Sequence, residues 1–446
     1  MKKRPARSLI LAGLSAAALG ASSAAWAGGF ALHEQGATGQ GMSFAGVASG
    51  SGGLSSMYWN PATITMNPGF QSYSSVSLIN LDAKITPYPG PGTPTYAFGP
   101  SGQLGEFGAV PASSFSYQLS DTVWLGMTMN APFGLVTKPN YSWAGQVYGR
   151  TSKIFSANFN PIVGIKVTDW LSVAAGPAIE YIDVKLRRSA PFAGAPLQTA
   201  VLPNAPSATL RGDDVGVGYT LGATITPMDG TVIGIGYRSS ISHGLKGSII
   251  SPTIPLPGNK VLIRSSLNTP DLLTIGLTQA VTPDFRVNIG YEFANWSRIG
   301  TIAQVAYGGP LLGPINNLSL RYKDGHFLSV GGEYDWSPQW TFRAGLAYEW
   351  SPISDSVRSV AVPDANRVWA SIGASYRFSD KITIDLAYSH VFVKNGPIRI
   401  NPGDPDYAGL PFNAVTKGQV DIVSAALRYR WDDPARPAPA AVVAKY

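Results

Sequence analysis

The sequence has no cysteine, few charged residues and, beyond its N-terminal region, no long apolar run. Charged residues make up 13% of the chain, where about 25% is usual for a soluble domain. No internal segment reaches the ~20 apolar residues that a membrane-spanning helix needs. No basic block is interleaved with aromatic residues, so nucleic-acid binding is not indicated. A chain that is poor in charge and lacks such helices must bury apolar surface one residue at a time, as an alternating β-barrel does.

The first 27 residues have the pattern of an export signal. Four cations (Lys2, Lys3, Arg4 and Arg7) precede an apolar stretch at 8–20, and Ala25-Trp26-Ala27 supplies the small-x-small pattern that signal peptidase recognises. We predict a signal peptide at 1–27; the alternative, a permanent anchor helix, is disfavoured because the apolar stretch is short. Cleavage after Ala27 removes four positive charges, so the formal charge falls from +7 to +3. The absence of cysteine is compatible with export, because a barrel needs no disulfides.

Strict alternation between apolar residues and small or polar residues marks four stretches, 214–225, 286–293, 342–349 and 382–389. In the first, Val215, Val217 and Tyr219 alternate with glycines. A period of two predicts β-strands with one apolar face. A soluble β-sandwich would alternate as well, so the period alone does not decide between the two.

The connections between strands do distinguish them. Tight turns are predicted at 120–121, 168–169, 227–230, 282–284, 337–339 and 379–380. Long segments rich in proline and glycine are predicted near 83–111, 131–152, 188–212, 250–261, 300–318, 353–365 and 395–416. Short and long connections alternate, as periplasmic turns and external loops do in outer-membrane barrels. The sequence therefore predicts an all-β fold, a transmembrane antiparallel β-barrel of about fourteen strands at 70–431, with both termini periplasmic.

Aromatic residues near the predicted strand ends are expected to form the girdles at the membrane surfaces. They are Trp124, Trp170, Tyr237, Trp296, Trp336, Trp340 and Trp350. The last strand is predicted at 419–431, followed by an Ala/Pro-rich periplasmic tail at 432–446. Barrels usually end on an aromatic residue that the barrel-assembly machinery recognises, so this tail is a departure from the expected ending.

Residues 28–69 do not alternate, yet they contain apolar residues and the run Tyr58-Trp59-Asn60-Pro61-Ala62. A free periplasmic linker would have little use for them. A barrel of about fourteen strands is too wide for its side chains to fill, and an internal plug is one solution. We therefore predict that residues 28–69 form an N-terminal hatch in the lumen.

This chain resembles the FadL/TodX family of outer-membrane transporters of long-chain fatty acids and hydrocarbons. The resemblance covers essentially the whole chain after residue 27. It rests on the start Gly28-Gly29-Phe30 through Gln35, on Asn60-Pro61-Ala62, and on matching runs at 131–135, 145–149 and 362–369. It implies a fourteen-stranded barrel with a hatch, a low-affinity apolar groove at the external loops, a tighter site near the start of the hatch, and lateral release into the membrane.

Four groups of residues are candidates for that function. The hatch group is Phe30, Asn60, Pro61 and Ala62. Apolar residues of the external loops predicted to capture ligand are Phe192, Leu202, Ile250 and Leu256; the alternative is that these loops pack on each other. Candidate carboxylate-binding cations are Arg150, Lys185 and Arg188, with Lys153 and Arg187 near them; such cations could equally contact the anionic lipopolysaccharide of the outer leaflet.

The fourth group is Pro132 and Gly134, which interrupt the third strand. Proline lacks the N–H that a strand neighbour needs, which indicates either a break in the ladder or a simple strand end. The resemblance implies a third strand that is kinked beside the hatch, so a lateral gap is predicted here. No cofactor, metal site or catalytic motif is predicted, because the four histidines are scattered and no nucleophile elbow occurs. A general porin and, with less support, an outer-membrane lipid-modifying enzyme remain the alternatives to a monomeric transporter of hydrophobic small molecules.

Overall fold

The computed structural model describes residues 28–88, 99–308, 312–404 and 406–433. The predicted signal peptide and all but the first two residues of the predicted tail lie outside the described residues. No helix in the described ranges is long and apolar enough to span a membrane.

Twenty antiparallel strands form one closed sheet, in which the last strand pairs with the first from Gln71↔Arg430 to Pro87↔Ala414. The strands are β1 Phe70–Pro87, β2 Gly102–Gln103, β3 Glu106–Gln118, β4 Val123–Asn130, β5 Gly134–Thr137, β6 Thr151–Lys166, β7 Leu171–Ser189, β8 Ser207–Met228, β9 Thr231–Arg238, β10 Ser242–Ile250, β11 Lys260–Asn268, β12 Leu272–Ala280, β13 Phe285–Ala294, β14 Thr301–Ala306, β15 Gly313–Ser319, β16 Gly325–Asp335, β17 Trp340–Trp350, β18 Arg367–Arg377, β19 Ile382–Ile400 and β20 Phe412–Arg430.

Several of these strands are consecutive pieces of one crossing of the wall. β2 continues β3, β4 and β5 form the third crossing, and the seventh to tenth crossings are the pairs β9–β10, β11–β12, β13–β14 and β15–β16. Joined in this way, the twenty strands make fourteen crossings. The predicted fold, a barrel of about fourteen strands, is confirmed.

All six predicted tight turns occur between consecutive crossings. The external connections differ more from expectation. β19 and β20 extend through much of the predicted loop 395–416, with a register shift between Val393 and Gly396, so the last strand begins at Phe412 rather than near 419. The irregularity in β19 lets the ladder continue past residues whose local sequence resembles that of a loop.

The apolar face of the alternating strands points outward and the small or polar face points inward. Val215 and Val217 are 60% and 67% exposed, whereas Gly216 between them is buried. Two of the predicted girdle residues are wrong. Trp124 is buried and donates to the Asn67 carbonyl (3.2 Å), and Trp296 is buried inside the barrel, because a tryptophan near a strand end can point to either face.

Residues 28–66, called here the N-terminal segment, lie inside the barrel and are largely buried. They contain one helical turn, α1 Ala37–Gln40, and three 3₁₀ turns at Val47–Ser49, Gly53–Tyr58 and Pro61–Met66. Further 3₁₀ turns occur in the connections at Leu197–Val201, Pro257–Asn259 and Trp296–Ile299. Side chains of the segment bond to opposite walls: Ser43 donates to Ser371 on β18, and Asn60 donates to the Ala223 carbonyl on β8.

Glycines of the wall surround this segment. A Cβ added at Gly234 would lie 1.8 Å from the Ala48 carbonyl oxygen, and one at Gly345 would lie 2.2 Å from that of Met42. Backbone can approach backbone this closely only where a side chain is absent. The set, called here the glycine ring, is Gly126, Gly164, Gly222, Gly234, Gly236, Gly276, Gly290, Gly331, Gly345 and Gly373.

Candidate ligand-binding site

An apolar chamber lies above the N-terminal segment, between it and the external connections. Its volume is about 80 Å³. Phe30 at the start of the segment forms part of the chamber wall, opposite aliphatic side chains of the upper strands. These include Ile154, Val184, Leu210, Leu245, Leu267, Ile302 and Leu318. A lining of this kind favours an apolar guest, since burying each such side chain against a ligand contributes roughly 1.5–3 kcal/mol.

A second chamber, of about 170 Å³, lies beside the first and further out. Both chambers share lining residues, among them Ser152, Leu186, Leu210, Gln304 and Leu318. The outer chamber adds Arg187 and Arg188, and the Arg187 Nε is buried with no hydrogen-bond partner among the residues that the structure describes. The site therefore combines an apolar interior with cations at its outer end.

Phe30 is fixed in the chamber wall by aromatic and backbone contacts. Its ring packs edge-on against Trp296 (centroids 4.6 Å apart) and Phe133 (5.8 Å). The Phe30 carbonyl accepts from the Gly134 N–H (2.9 Å), and the Leu32 N–H donates to the Pro132 carbonyl (2.8 Å). The start of the N-terminal segment is thus paired with the interrupted third crossing as if it were a short extra strand.

The third crossing separates from the second crossing at this point. β4 pairs with β3 as far as Ser113↔Met129, and β5 pairs with β6 from Gly134↔Phe155 to Thr137↔Ser152. Among the described residues no backbone pairing joins β5 to β3. Residues 131–136 are buried, and Gln35 donates to the Ala131 carbonyl (2.8 Å) from the N-terminal segment. The ladder between the second and third crossings is therefore interrupted beside the apolar chamber, with Pro132 and Gly134 in the interruption.

Asn60 links the N-terminal segment to the wall. Its side-chain oxygen accepts from the Ala62 N–H (3.0 Å) and caps the 3₁₀ turn that Pro61 begins. Its side-chain nitrogen donates to Ala48 (2.7 Å) and to Ala223 on β8 (2.9 Å). Gly222 makes this approach possible, because a Cβ there would be 2.1 Å from the Asn60 oxygen.

Buried charges hold the first residues of the segment. His33 lies 3.3 Å from a Glu292 carboxylate oxygen and stacks on Phe327. Burial by itself lowers the pKa of His33, but the attraction of Glu292, together with that of Glu349 and Glu34, outweighs it, and the pKa is raised to about 9. The Gly29 N–H donates to Asp364 (2.9 Å), and burial raises the pKa of the Asp364 carboxyl.

The predicted cations take three different places. Arg188 lines the outer chamber, next to Arg187. Lys185 is exposed on the outer face of the wall, on the opposite side from the chamber. Arg150 is buried, and its guanidinium donates to the Ala205 and Pro206 carbonyls and to two side chains, so it fastens the external connection and is not free for a carboxylate.

The four apolar loop residues line neither chamber. Phe192, Leu202 and Ile250 are exposed, and Leu256 packs against the cluster of Val261, Ile263 and Ala306. The chamber is lined instead by inward residues of the strands themselves. The sequence carried a signal for this lining. At Ile154 and Val184 the inward positions of the strands are apolar, whereas lower in the wall the inward positions are small residues.

A family model described as outer membrane protein transport protein (OMPP1/FadL/TodX) matches residues 18–431. The chain belongs to this family. Similar curated proteins include a long-chain fatty acid transport protein of Salmonella typhi, 25% identical over 86% of this chain and 91% of the relative, and a 47 kDa outer membrane protein of Pasteurella multocida, 26% identical over 95% and 98%. Like the other members, this FadL/TodX protein is a protein of the outer membrane.

Solved structures agree on the fold. A Pseudomonas aeruginosa FadL homologue superposes with a TM-score of 0.80 at 22% identity, over 91% of this chain and all of that one. The toluene transporter TodX of P. putida gives a TM-score of 0.65 at 18% identity, over 90% and 99% of the two chains. The family places the chain among outer-membrane transport proteins and not among general porins.

Proposed function

We propose that this protein carries hydrophobic small molecules, foremost long-chain fatty acids, passively across the outer membrane. The observation that supports this most is the pair of joined chambers, one apolar and the other containing Arg187 and Arg188. A fatty acid needs both, because its chain gains from leaving water and its carboxylate gains from a cation. Relatives named as long-chain fatty acid and toluene transporters support the same class of cargo.

The proposed route has three stages. Apolar side chains of the external connections, among them Phe192 and Leu202, capture the ligand. The ligand then binds in the apolar chamber against Phe30. It leaves sideways through the interruption between β3 and β5 into the membrane, because release into periplasmic water would cost the free energy gained by burying it.

The N-terminal segment acts as a hatch that separates the chamber from the periplasm, so the barrel does not conduct as a general porin does. The protein works as a monomer without catalytic activity, and the barrel-assembly machinery inserts it despite its tail. No group of three or more potential metal ligands is clustered among the residues that the structure describes.

Binding is tested by the double variant Leu245→Ser, Leu267→Ser, measured by displacement of a fluorescent fatty acid in detergent. Both side chains line the apolar chamber. We expect affinity to fall by roughly tenfold or more, since each buried leucine contributes ~1.5–3 kcal/mol. Leu262→Ser on the outward face of β11 is the matched control and should bind as the unaltered protein does. Equal affinity in all three proteins would remove the chamber from the mechanism.

The exit is tested with cysteine pairs, which are unambiguous because the chain has no cysteine. A bifunctional maleimide joining Val110→Cys on β3 to Val136→Cys on β5 should block fatty acid uptake and leave binding intact. The control pair, Ala344→Cys and Ile372→Cys, lies directly opposite across the continuous ladder β17–β18 and should be without effect. Unchanged uptake by the first cross-linked pair would contradict lateral release at this point.

A further inference from the structure

Three cations lie side by side on the outer face of the wall, at the level where the inner face of the same strands lines the chambers. Lys153 on β6 is directly opposite Lys185 on β7, and Lys185 is directly opposite Arg211 on β8. Their sequence neighbours Ile154, Val184 and Leu210 line the apolar chamber. Because successive residues of a strand point to opposite faces, the three cations point outward.

The row continues on the next strands. Lys246 on β10 is directly opposite Arg264 on β11, and it is also opposite Asp213 on β8. The basic row is defined as Lys153, Lys185, Arg211, Lys246 and Arg264. Two outward carboxylates, Asp183 and Asp213, lie beside these five cations, so the surface keeps a net charge of +3.

Internal partners satisfy only part of this charge. Arg211 pairs with Asp183 at 3.0 Å, and Arg264 lies over the Tyr307 ring at 4.3 Å. None of the three lysines forms an ion pair with any residue in the described ranges. Like charges directly opposite each other destabilise a sheet. A ligand that supplies negative charge to the outer face would remove this repulsion.

The position of the row identifies the kind of ligand. Tyr181 and Val215, opposite each other on the same outward face, belong to the apolar band of β7 and β8. Lys185 is four residues further toward the external end than Tyr181, or ~13 Å along the strand. On β6–β8, Lys153, Lys185 and Arg211 therefore stand just beyond the apolar band, where the headgroups of the outer leaflet lie.

We propose that the basic row binds the phosphate groups of a phosphorylated glycolipid of the outer leaflet. Arginine presents paired donors to a phosphate and lysine presents a compact charge, so a row that contains both suits several phosphate oxygens at once. Acyl chains of the same lipid cover the exposed apolar residues below. This proposal concerns the outer face of the wall and does not depend on the route proposed for transport.

The test is native mass spectrometry of the intact protein in mild detergent with added rough-type lipopolysaccharide. The variant Lys153→Gln, Lys185→Gln, Arg211→Gln should bind this lipid at least roughly tenfold more weakly. The reason is that each cation near a charged membrane surface contributes a similar share of the binding free energy. The matched control, Lys166→Gln, Arg377→Gln, Lys381→Gln, removes three charges at the other end of the barrel, next to the tight turns. It should bind as the unaltered protein does.

A second probe separates charge from acyl chains. Lipopolysaccharide stripped of its phosphates should bind the unaltered protein and both variants equally weakly. Equal binding of the phosphorylated lipid to the unaltered protein and to the β6–β8 variant would overturn the proposal, as would equal binding of the stripped and phosphorylated lipids to the unaltered protein. If the triple variant does not show the heat-dependent gel migration of a folded barrel, Lys185→Gln alone, which leaves its neighbours in place, is measured against Lys166→Gln. Displacement of fluorescent fatty acid should be unchanged in all of these variants.

Discussion

The lower and upper halves of the same wall differ in the side chains that face the lumen. Around the N-terminal segment many inward positions are glycines, as at Gly222 on β8 and Gly234 on β9. Around the apolar chamber the same crossings present large aliphatic side chains, Leu210 on β8 and Leu245 on β10. The lower half holds a fixed part of the chain by close backbone contact, while the upper half keeps space between large side chains.

Breaks in the strands coincide with the change between the two halves. The seventh to tenth crossings are each interrupted near this level, at 239–241, 269–271, 295–300 and 320–324. A continuous strand would carry one pleat and one curvature past both the segment and the chamber. One barrel can therefore hold both the closely packed N-terminal segment and the apolar chamber, because the breaks let the wall bend between them.

The largest expected effect comes from filling the glycine ring. Gly234→Val would place a Cβ 1.8 Å from a backbone oxygen of the N-terminal segment, which cannot move without displacing the segment. We expect the free energy of unfolding to fall by at least ~1–3 kcal/mol, and we expect large ion conductance in planar bilayers. Gly244→Val, in the next strand with no atom within 4 Å, is the control and should conduct no more than the unaltered protein. Similar conductance of the two variants would mean that the segment does not depend on the ring.

A smaller effect is expected from titrating His33. The pKa of His33 is raised to about 9 in the folded protein. Its pairing with Glu292 therefore contributes fully to the stability of the fold below about pH 6.5, and this contribution is lost as the pH rises through 9. The contribution is at most about 3 kcal/mol. Conductance of the unaltered protein should increase as the pH is raised from 7 to 10. His33→Gln should give a flat profile; a rise of the same size in that variant would assign the change to another group.

Asn60→Ala should loosen the N-terminal segment by ~1–3 kcal/mol, because the side chain caps a turn and makes a bond to the wall at Ala223. The measurement is the guanidinium concentration at which residues 28–66 become sensitive to protease. Asn67→Ala is the control, since the Asn67 side chain donates to the Thr63 carbonyl of the segment and forms no bond to the wall among the described residues. An equal shift in the two variants would show that the wall contact contributes nothing.

The smallest effect on equilibrium binding is expected from the external connections. Replacing Phe192, Leu202, Ile250 and Leu256 together with serine should leave fatty acid affinity within about twofold, because none of them lines a chamber. Uptake at limiting ligand should nevertheless slow, since capture precedes binding. Stopped-flow measurement of the association rate separates the two. The opposite pattern, weaker affinity with an unchanged rate, would place these residues in the binding site.

Much of the barrel was predictable because its signals are local. Period two at 214–225 and 342–349 and the turns at 168–169 and 379–380 depend on neighbouring residues alone. The same signals do not say which way a residue at a strand end points. Trp170 is exposed as a girdle residue should be, while Trp296, with the same sequence signal, packs on Phe30.

The candidate site was predictable in part for the same reason. Phe30 and Asn60 could be named from a short motif, and Pro132 could be named because proline cannot donate to a ladder. Arg150 and Leu256 could not be separated from true lining residues, because their partners, Ala205 and Ala306 among them, are brought near only by the folding of the external connections.

The sequence by itself determined the class of the protein, the number of crossings and the side of the wall that faces lipid, since each depends on a repeating local pattern. Only the tertiary structure decided that ten glycines form a ring around residues 28–66, that aliphatic side chains above it enclose a chamber, and that β5 leaves β3 beside that chamber. These are contacts between residues up to hundreds of positions apart. No local periodicity encodes such contacts, because they arise when a closed sheet brings its inward faces together around one segment.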